Sequence, residues 1–271
     1  MSSEKKMEFT KDSLDSYLKE VAKEYRKLNG KTMPAEMILI GGAAVLINYG
    51  FRDMTTDVDA IIQASSSMKD AINRVGDRNH LPNGWLNQDF TLTGSYSPKL
   101  QQYSKYYKTF SNVLAIRTVE SEYLIAMKLR SGRKYKNDLS DVVGILAEHK
   151  KMGNPISLEQ IQIAVQNLYG DWAGIPAFSR SFIETVLHSD KLDTLYVETR
   201  KLEQETRANL IKFEQKYPGV ANGSNNETIV NGIQKNRPAP QLDPAKIEDA
   251  CHRLYNETAY GQENEECELD E

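Results

Sequence analysis

The sequence predicts an α+β fold: a small mixed β-sheet with flanking helices, followed by a helical C-terminal region. Three observations predict it. Met37–Ile40, Val58–Ile62 and Val113–Val119 are short apolar runs bounded by glycine, proline or threonine, as buried strands are. Segments of helical period lie before, between and after them. Beyond Gly153-Asn154-Pro155 the helical period alone remains, so a boundary is placed there.

Taken in order, Lys11 to Asn29 repeats Leu14, Leu18, Val21, Tyr25 and Leu28 at three- and four-residue steps, and Gly30 stops it. The strand Met37–Ile40 runs into Gly41-Gly42, and a short helix from Ala43 to Asn48 follows, closed by Gly50. Val58–Ile62 is the second strand, entered through Thr55-Thr56, and Ser67–Asp77 is a helix packing back on the sheet. His80 to Lys99, rich in proline, glycine and asparagine, reads as a loop. After the third strand come the helices Ser121–Arg130, with Ser121 as cap, and Asp138–His149, separated by Ser131-Gly132. Ser157–Leu168 opens with a capping box, Ser157 and Gln160. Phe178–Leu187 and Leu192–Lys216 follow, then a linker at Gly219–Asn226, a proline-rich stretch, and a last helix near Ile247–Tyr260. The expected division is a first domain at 1–152, a helical domain at 153–218, and a linker, short helix and acidic tail at 219–271.

Composition narrows the class without naming the chemistry. With 271 residues, 39% of them hydrophobic, the chain has ample material for a core. It lacks any apolar run long enough for a membrane span, and MSSEKKMEFTKDS lacks a signal-peptide core, so a cytoplasmic protein is expected. The two cysteines, Cys251 and Cys267, have no metal-ligand spacing. Net charge is −4, yet Lys235–Glu271 carries −6 and Lys99–Lys136 has nine basic residues against Glu120 and Glu122. A polyanion would therefore dock on the latter stretch.

The chemistry concentrates in LIGGAAVLINYGFRDMTTDVDAII, Leu39 to Ile62. At Gly41-Gly42 the missing side chains let backbone N–H groups approach a phosphate, with the following helix aimed at it. Side chains alternate along a strand, so Asp57 and Asp59 share one face, with Val58 and Ala60 on the other. Two such carboxylates repel unless a cation lies between them. Mg²⁺, commonly held by one or two carboxylates plus substrate phosphates, suits the pair.

These residues resemble the DNA polymerase β-like nucleotidyltransferase superfamily, whose signature is hydrophobic-Gly-Gly/Ser, a spacer, then Asp-hydrophobic-Asp/Glu-hydrophobic. Here the matching residues are Ile40, Gly41, Gly42, then Asp57, Val58, Asp59, Ala60. Within it, the pattern is most similar to minimal bacterial nucleotidyltransferases related to abortive-infection (AbiE-type) toxins. A second block, Glu122–Leu146, resembles their helical block at Lys128, Arg133, Asp138 and Asp141, and Gly84–Asp89 resembles a tryptophan-containing segment of one subfamily. The resemblance covers about residues 35 to 150. It implies transfer of an NMP from an NTP, with Mg²⁺ (or Mn²⁺) at Asp57 and Asp59. Gly41 and Gly42 would then cradle phosphates, with Lys128, Arg52 or Arg133 offsetting triphosphate charge. Thr56, Asp138 and Asp141 complete the expected nucleotide site. The third carboxylate that many members use is open between Asp89 and Glu120, with Asp138 and Asp141 also candidates, and the spacer to Asp57 is slightly long.

The implied acceptors are a tRNA 3′ end, another RNA or a protein hydroxyl, and the implied setting is toxin–antitoxin or phage defence with a cognate partner protein. The rival class is a nucleotidyltransferase fold without turnover, serving as a binding module or antitoxin-like partner. An aminoglycoside-type enzyme would want an acidic cleft, against which the basic 99–136 stretch argues. Two readings stay open elsewhere. Tyr96, Tyr103, Tyr106 and Tyr107, interleaved with Lys99, Lys105 and Lys108, suit either base stacking or a packed surface flap. Asp138 and Asp141, three apart on a helix, suit either a site or pairing with Arg133 or Lys134.

Overall fold

The computed structural model describes residues 7–223 and 225–235. The expected helix near Ile247–Tyr260 and the acidic tail lie outside them. Described residues up to Lys212 form one compact unit, and those from Phe213 a second.

Amphipathic α1 (Lys11–Asn29) begins on a capping box made by Thr10 and Ser13 and ends at Gly30, whose φ of 75° few other residues adopt. It is followed by β1 (Ala35–Leu39), α2 (Gly41–Asn48), β2 (Val58–Gln63), α3 (Ser67–Arg78) and the two-residue β3 (Leu86–Asn87). Two short 3₁₀ turns, Asp89–Leu92 and Pro98–Gln101, occupy the expected loop. Then come β4 (Ser104–Phe110), β5 (Leu114–Val119), α4 (Ser121–Ser131), α5 (Asp138–Lys151), α6 (Leu158–Tyr169), α7 (Ala177–Leu187) and α8 (Leu192–Lys216). In the second unit lies α9 (Asn226–Lys235), which the linker reading did not foresee.

The sheet order is β3-β2-β1-β5-β4, parallel at β2/β3 and β1/β5 and antiparallel at β1/β2 and β4/β5. It is the mixed sheet expected. Its two faces build two cores through strand alternation. Met37, Leu39, Val58, Ala60, Leu114 and Ile116 pack with α1 and α3. Ile38, Ile40 and Ile61 pack with α2 and α4 to α7. Asp59 therefore faces the α4–α5 side, one strand step before Ile61.

Past Gly153, Ile161, Ala164 and Val165 of α6 and Ile183 of α7 share a core with Leu124 and Ile125 of α4. One expectation is corrected. Ser121 does not cap α4: Glu120 is the N-cap residue, without a side-chain cap bond. The Ser121 hydroxyl instead accepts from Tyr49 at 2.6 Å and lies 2.9 Å from His149 Nε2. Of the two readings open for the tyrosines of 96–107, packing is the one seen for three of them. Tyr103 lies flat on Tyr123 at 3.9 Å, Tyr107 donates to Asp15, and Tyr96 packs edge-on to Phe90, leaving Tyr106 exposed on the edge strand β4. Among the described residues no helix is long and apolar enough to cross a membrane.

Candidate nucleotide site

A cleft of about 260 Å³ opens between the β1–α2 turn, the start of β2, the 3₁₀ turn after β3, and helices α4, α5 and α8. Gly41, at φ 55°, starts α2 in the left-handed region, where a side chain is strained. Its Cα points at Asp59, for a Cβ there would stand 3.7 Å from Asp59 Oδ2. Gly42 matters for another reason. A Cβ would meet Thr55 Oγ1 at 2.6 Å and Arg52 Nη2 at 2.8 Å, so the absent side chain leaves room for the Arg52 guanidinium. Ile40 supplies no side-chain cap, and the first N–H groups of α2 are left without intrahelical partners.

Opposite this turn, Asp57 and Asp59 both line the cleft, as does Thr56. Burial, then the neighbouring Asp57, pushes the Asp59 carboxyl above the usual carboxylate range; Arg133 and Lys136 pull it back, and Asp89 adds a further upward push. Strand register explains why Asp89 is there. Asn87 pairs with Asp59 in the parallel β2/β3 ladder, and Asp89 follows two residues on. Glu120 is not among the residues that line the cleft; it is the N-cap residue of α4. Of the four third-carboxylate candidates, Asp89, Asp138 and Asp141 line the cleft with the pair and Glu120 does not.

Lys128, Asp138 and Asp141 form a different structure. Lys128 Nζ lies 2.7 Å from Asp141 and 3.4 Å from Asp138, with all three side chains buried. Arg52 reaches the same Asp141 at 2.5 Å, and Arg133 reaches Asp138 at 2.8 Å. Burial by itself would raise the Asp138 carboxyl, but Lys128 and Arg133 override it and hold it at about 2. The charges of Lys128 and Arg52 are thus largely met within the protein. Three cations on two carboxylates still leave this wall net positive, facing the acid pair.

A buried feature that sequence reasoning missed closes this wall. Asn137 offers α5 no side-chain cap. Glu203 of α8 does so instead, its Oε1 accepting from Leu139 N–H at 2.8 Å and Ser140 N–H at 3.4 Å. Its other oxygen is buried without a hydrogen-bond partner. Burial pushes the Glu203 carboxyl up to about 8, against hydrogen bonds from the Ser140 side chain and the Leu139 N–H, with Asp141 and Asp138 adding to the rise. Phe90, Thr93, Ser95, Met127 and Arg207 also line the cleft, and none of them was singled out by spacing or motif.

Among the described residues no three or more His, Cys, Asp or Glu side chains gather closely enough to hold a metal by themselves. The donor set instead fits an ion completed by phosphate oxygens: two carboxylates at a turn with open N–H groups.

A family model described as a nucleotidyltransferase of unknown function (DUF6036) matches residues 16–167. No curated protein and no solved structure matches the chain. The matched stretch contains the glycine turn, the acid pair, Asp89 and the whole Lys128 network.

Proposed function

The chain belongs to the DUF6036 nucleotidyltransferase family, and from that premise we propose that it transfers an NMP from an NTP to a hydroxyl acceptor in the cleft at Asp57 and Asp59. The observation that carries this reading is that the acid pair and the Gly41–Gly42 turn face each other across one cleft. Asp57 and Asp59 would hold Mg²⁺ or Mn²⁺, which would supply positive charge to the phosphates and to the attacking hydroxyl as its oxygen bonds the α-phosphorus and pyrophosphate leaves. The free N–H groups at the start of α2 take the phosphate oxygens, as helix N-termini commonly do. Gly42 keeps Arg52 seated on Asp141, which holds the net-positive wall rigid beside the triphosphate. Asp89, which lines the same cleft, would serve as the third carboxylate. These contributions are positional and electrostatic, as phosphoryl chemistry requires.

For the acceptor we propose an RNA hydroxyl, a tRNA 3′ end above all, ahead of a protein hydroxyl, in a toxin–antitoxin or phage-defence setting within the cytoplasm. The support is the resemblance to abortive-infection toxins and the basic character of 99–136. A second reading, a nucleotide-binding module without turnover, draws on the commitment of Lys128 and Arg52 to carboxylates. One experiment separates them: labelled NTPs, Mg²⁺, and total RNA or protein, with wild type beside Asp57→Ala. Label transfer by wild type alone supports the enzyme. NTP binding without transfer supports the module, and equal labelling by both proteins rejects the role of Asp57.

A further inference from the structure

Five cationic side chains line the cleft. Four of them stand against carboxylates: Arg52 on Asp141, Lys128 between Asp141 and Asp138, Arg133 on Asp138, and Lys136 at 3.9 Å from Asp57. Arg207 is the fifth, exposed at the cleft wall with no carboxylate within ion-pair distance among the described residues. It arrives from α8, outside the 16–167 stretch that defines the family. Its position is not incidental. Glu203, four residues earlier, is buried on the N-terminus of α5 through the two N–H bonds to Leu139 and Ser140. Residues four apart share a helix face, so the seat that fixes Glu203 also turns Arg207 into the cleft.

We propose that Arg207 is a phosphate-binding residue for the incoming nucleotide, and that Glu203 is the positioning residue that presents it. This rests on the reading of the cleft as an NTP site. A triphosphate brings more negative charge than the net-positive wall offsets, and Asp57, Asp59 and Asp89 add to the deficit. A guanidinium not already paired is the group that answers it, with a planar fork matched to two phosphate oxygens. The C-terminal helix is then part of the nucleotide site rather than a support for it.

The test is the dissociation constant of a non-hydrolysable NTP analogue with Mg²⁺ and no acceptor. Wild type is compared with Arg207→Ala, Arg207→Lys, and Lys201→Ala, which removes an exposed charge from another face of α8. The expected result is weakening of about tenfold or more for Arg207→Ala, a smaller loss for Arg207→Lys, and a change within about twofold for Lys201→Ala. Glu203→Ala should weaken binding on its own but add little to Arg207→Ala, and Glu203→Gln, which keeps the acceptor oxygen, should restore most of it. Analogue binding by wild type that Arg207→Ala leaves unchanged overturns the inference alone, including the case where that variant loses only RNA affinity. A wild type that takes no analogue overturns both this inference and the function it rests on. Additive losses in the double variant would remove Glu203 from its positioning role.

Discussion

Asp57 with Asp59 and Asp138 with Asp141 are two acid pairs on one cleft, each close in sequence, and the fold treats them in opposite ways. The Asp138 and Asp141 side chains are 5% and 4% exposed and wrapped by Lys128, Arg52 and Arg133. The Asp57 side chain is 51% exposed, with Lys136 its one ion-pair partner among the described residues, and burial and Asp57 raise the Asp59 carboxyl. A buried pair must be neutralised by the protein itself, because desolvation otherwise exceeds the attraction. An open pair whose mutual repulsion is left standing is tuned for a cation that comes from outside. The difference separates structure from chemistry within a single pocket, and it can be broken from either side.

The largest effect should come from the open pair. Asp57→Asn is expected to lower label transfer by at least about a thousandfold, roughly 4 kcal/mol in the barrier, while thermal unfolding shows a protein as stable as wild type. The same variant sharpens the Asp59 assignment. Asp59 must be ionised to bind a cation, so transfer should fall as pH drops through its raised pKa. Among residual rates or nucleotide affinities measured against pH, Asp57→Asn should move that acid limb to lower pH.

The closed pair should behave in reverse. Lys128→Ala leaves two buried carboxylates short of a partner and is expected to destabilise by about 3–5 kcal/mol in urea unfolding. Loss of activity without loss of stability would place Lys128 with the open group instead. Glu203 gives a third, smaller contrast. Its pKa is raised on folding, so the folded protein holds the extra proton between about pH 4.5 and about 8. Its contribution is full below that window and is lost as pH rises through it. Glu203→Gln should flatten this decline, so that the urea midpoints of the two proteins converge or cross as pH rises from about 5 to about 9. Smallest is Gly41→Ala, at about 1–2 kcal/mol from the left-handed backbone, since its Cβ would make only ordinary contact with Asp59.

What the sequence revealed follows from how local each signal is. The bounds of α1 and α8 and the Ser157–Gln160 capping box of α6 were legible because period and caps are local. So was the glycine turn with its acid pair, which a single strand–helix–strand unit brings together. β4 was missed because its residues are Ser, Lys, Tyr and Thr with no apolar alternation; an edge strand needs only its ends, Ser104 and Phe110, buried. Asp138 and Asp141 suggested a shared face and a pairing with Arg133, but Arg52 comes from 89 residues away and only tertiary structure names it. Glu203 and Arg207 sat in a helix dense with charge, where nothing in spacing distinguished them from solvated residues.

The central claim is that Asp57 and Asp59 together receive a divalent cation in company with a nucleotide. Mn²⁺ reports this directly through the loss of its free-ion electron paramagnetic resonance signal. With a non-hydrolysable NTP analogue present, wild type should deplete free Mn²⁺ beyond the analogue alone, and Asp59→Asn should not. Equal depletion by the two proteins would contradict the account.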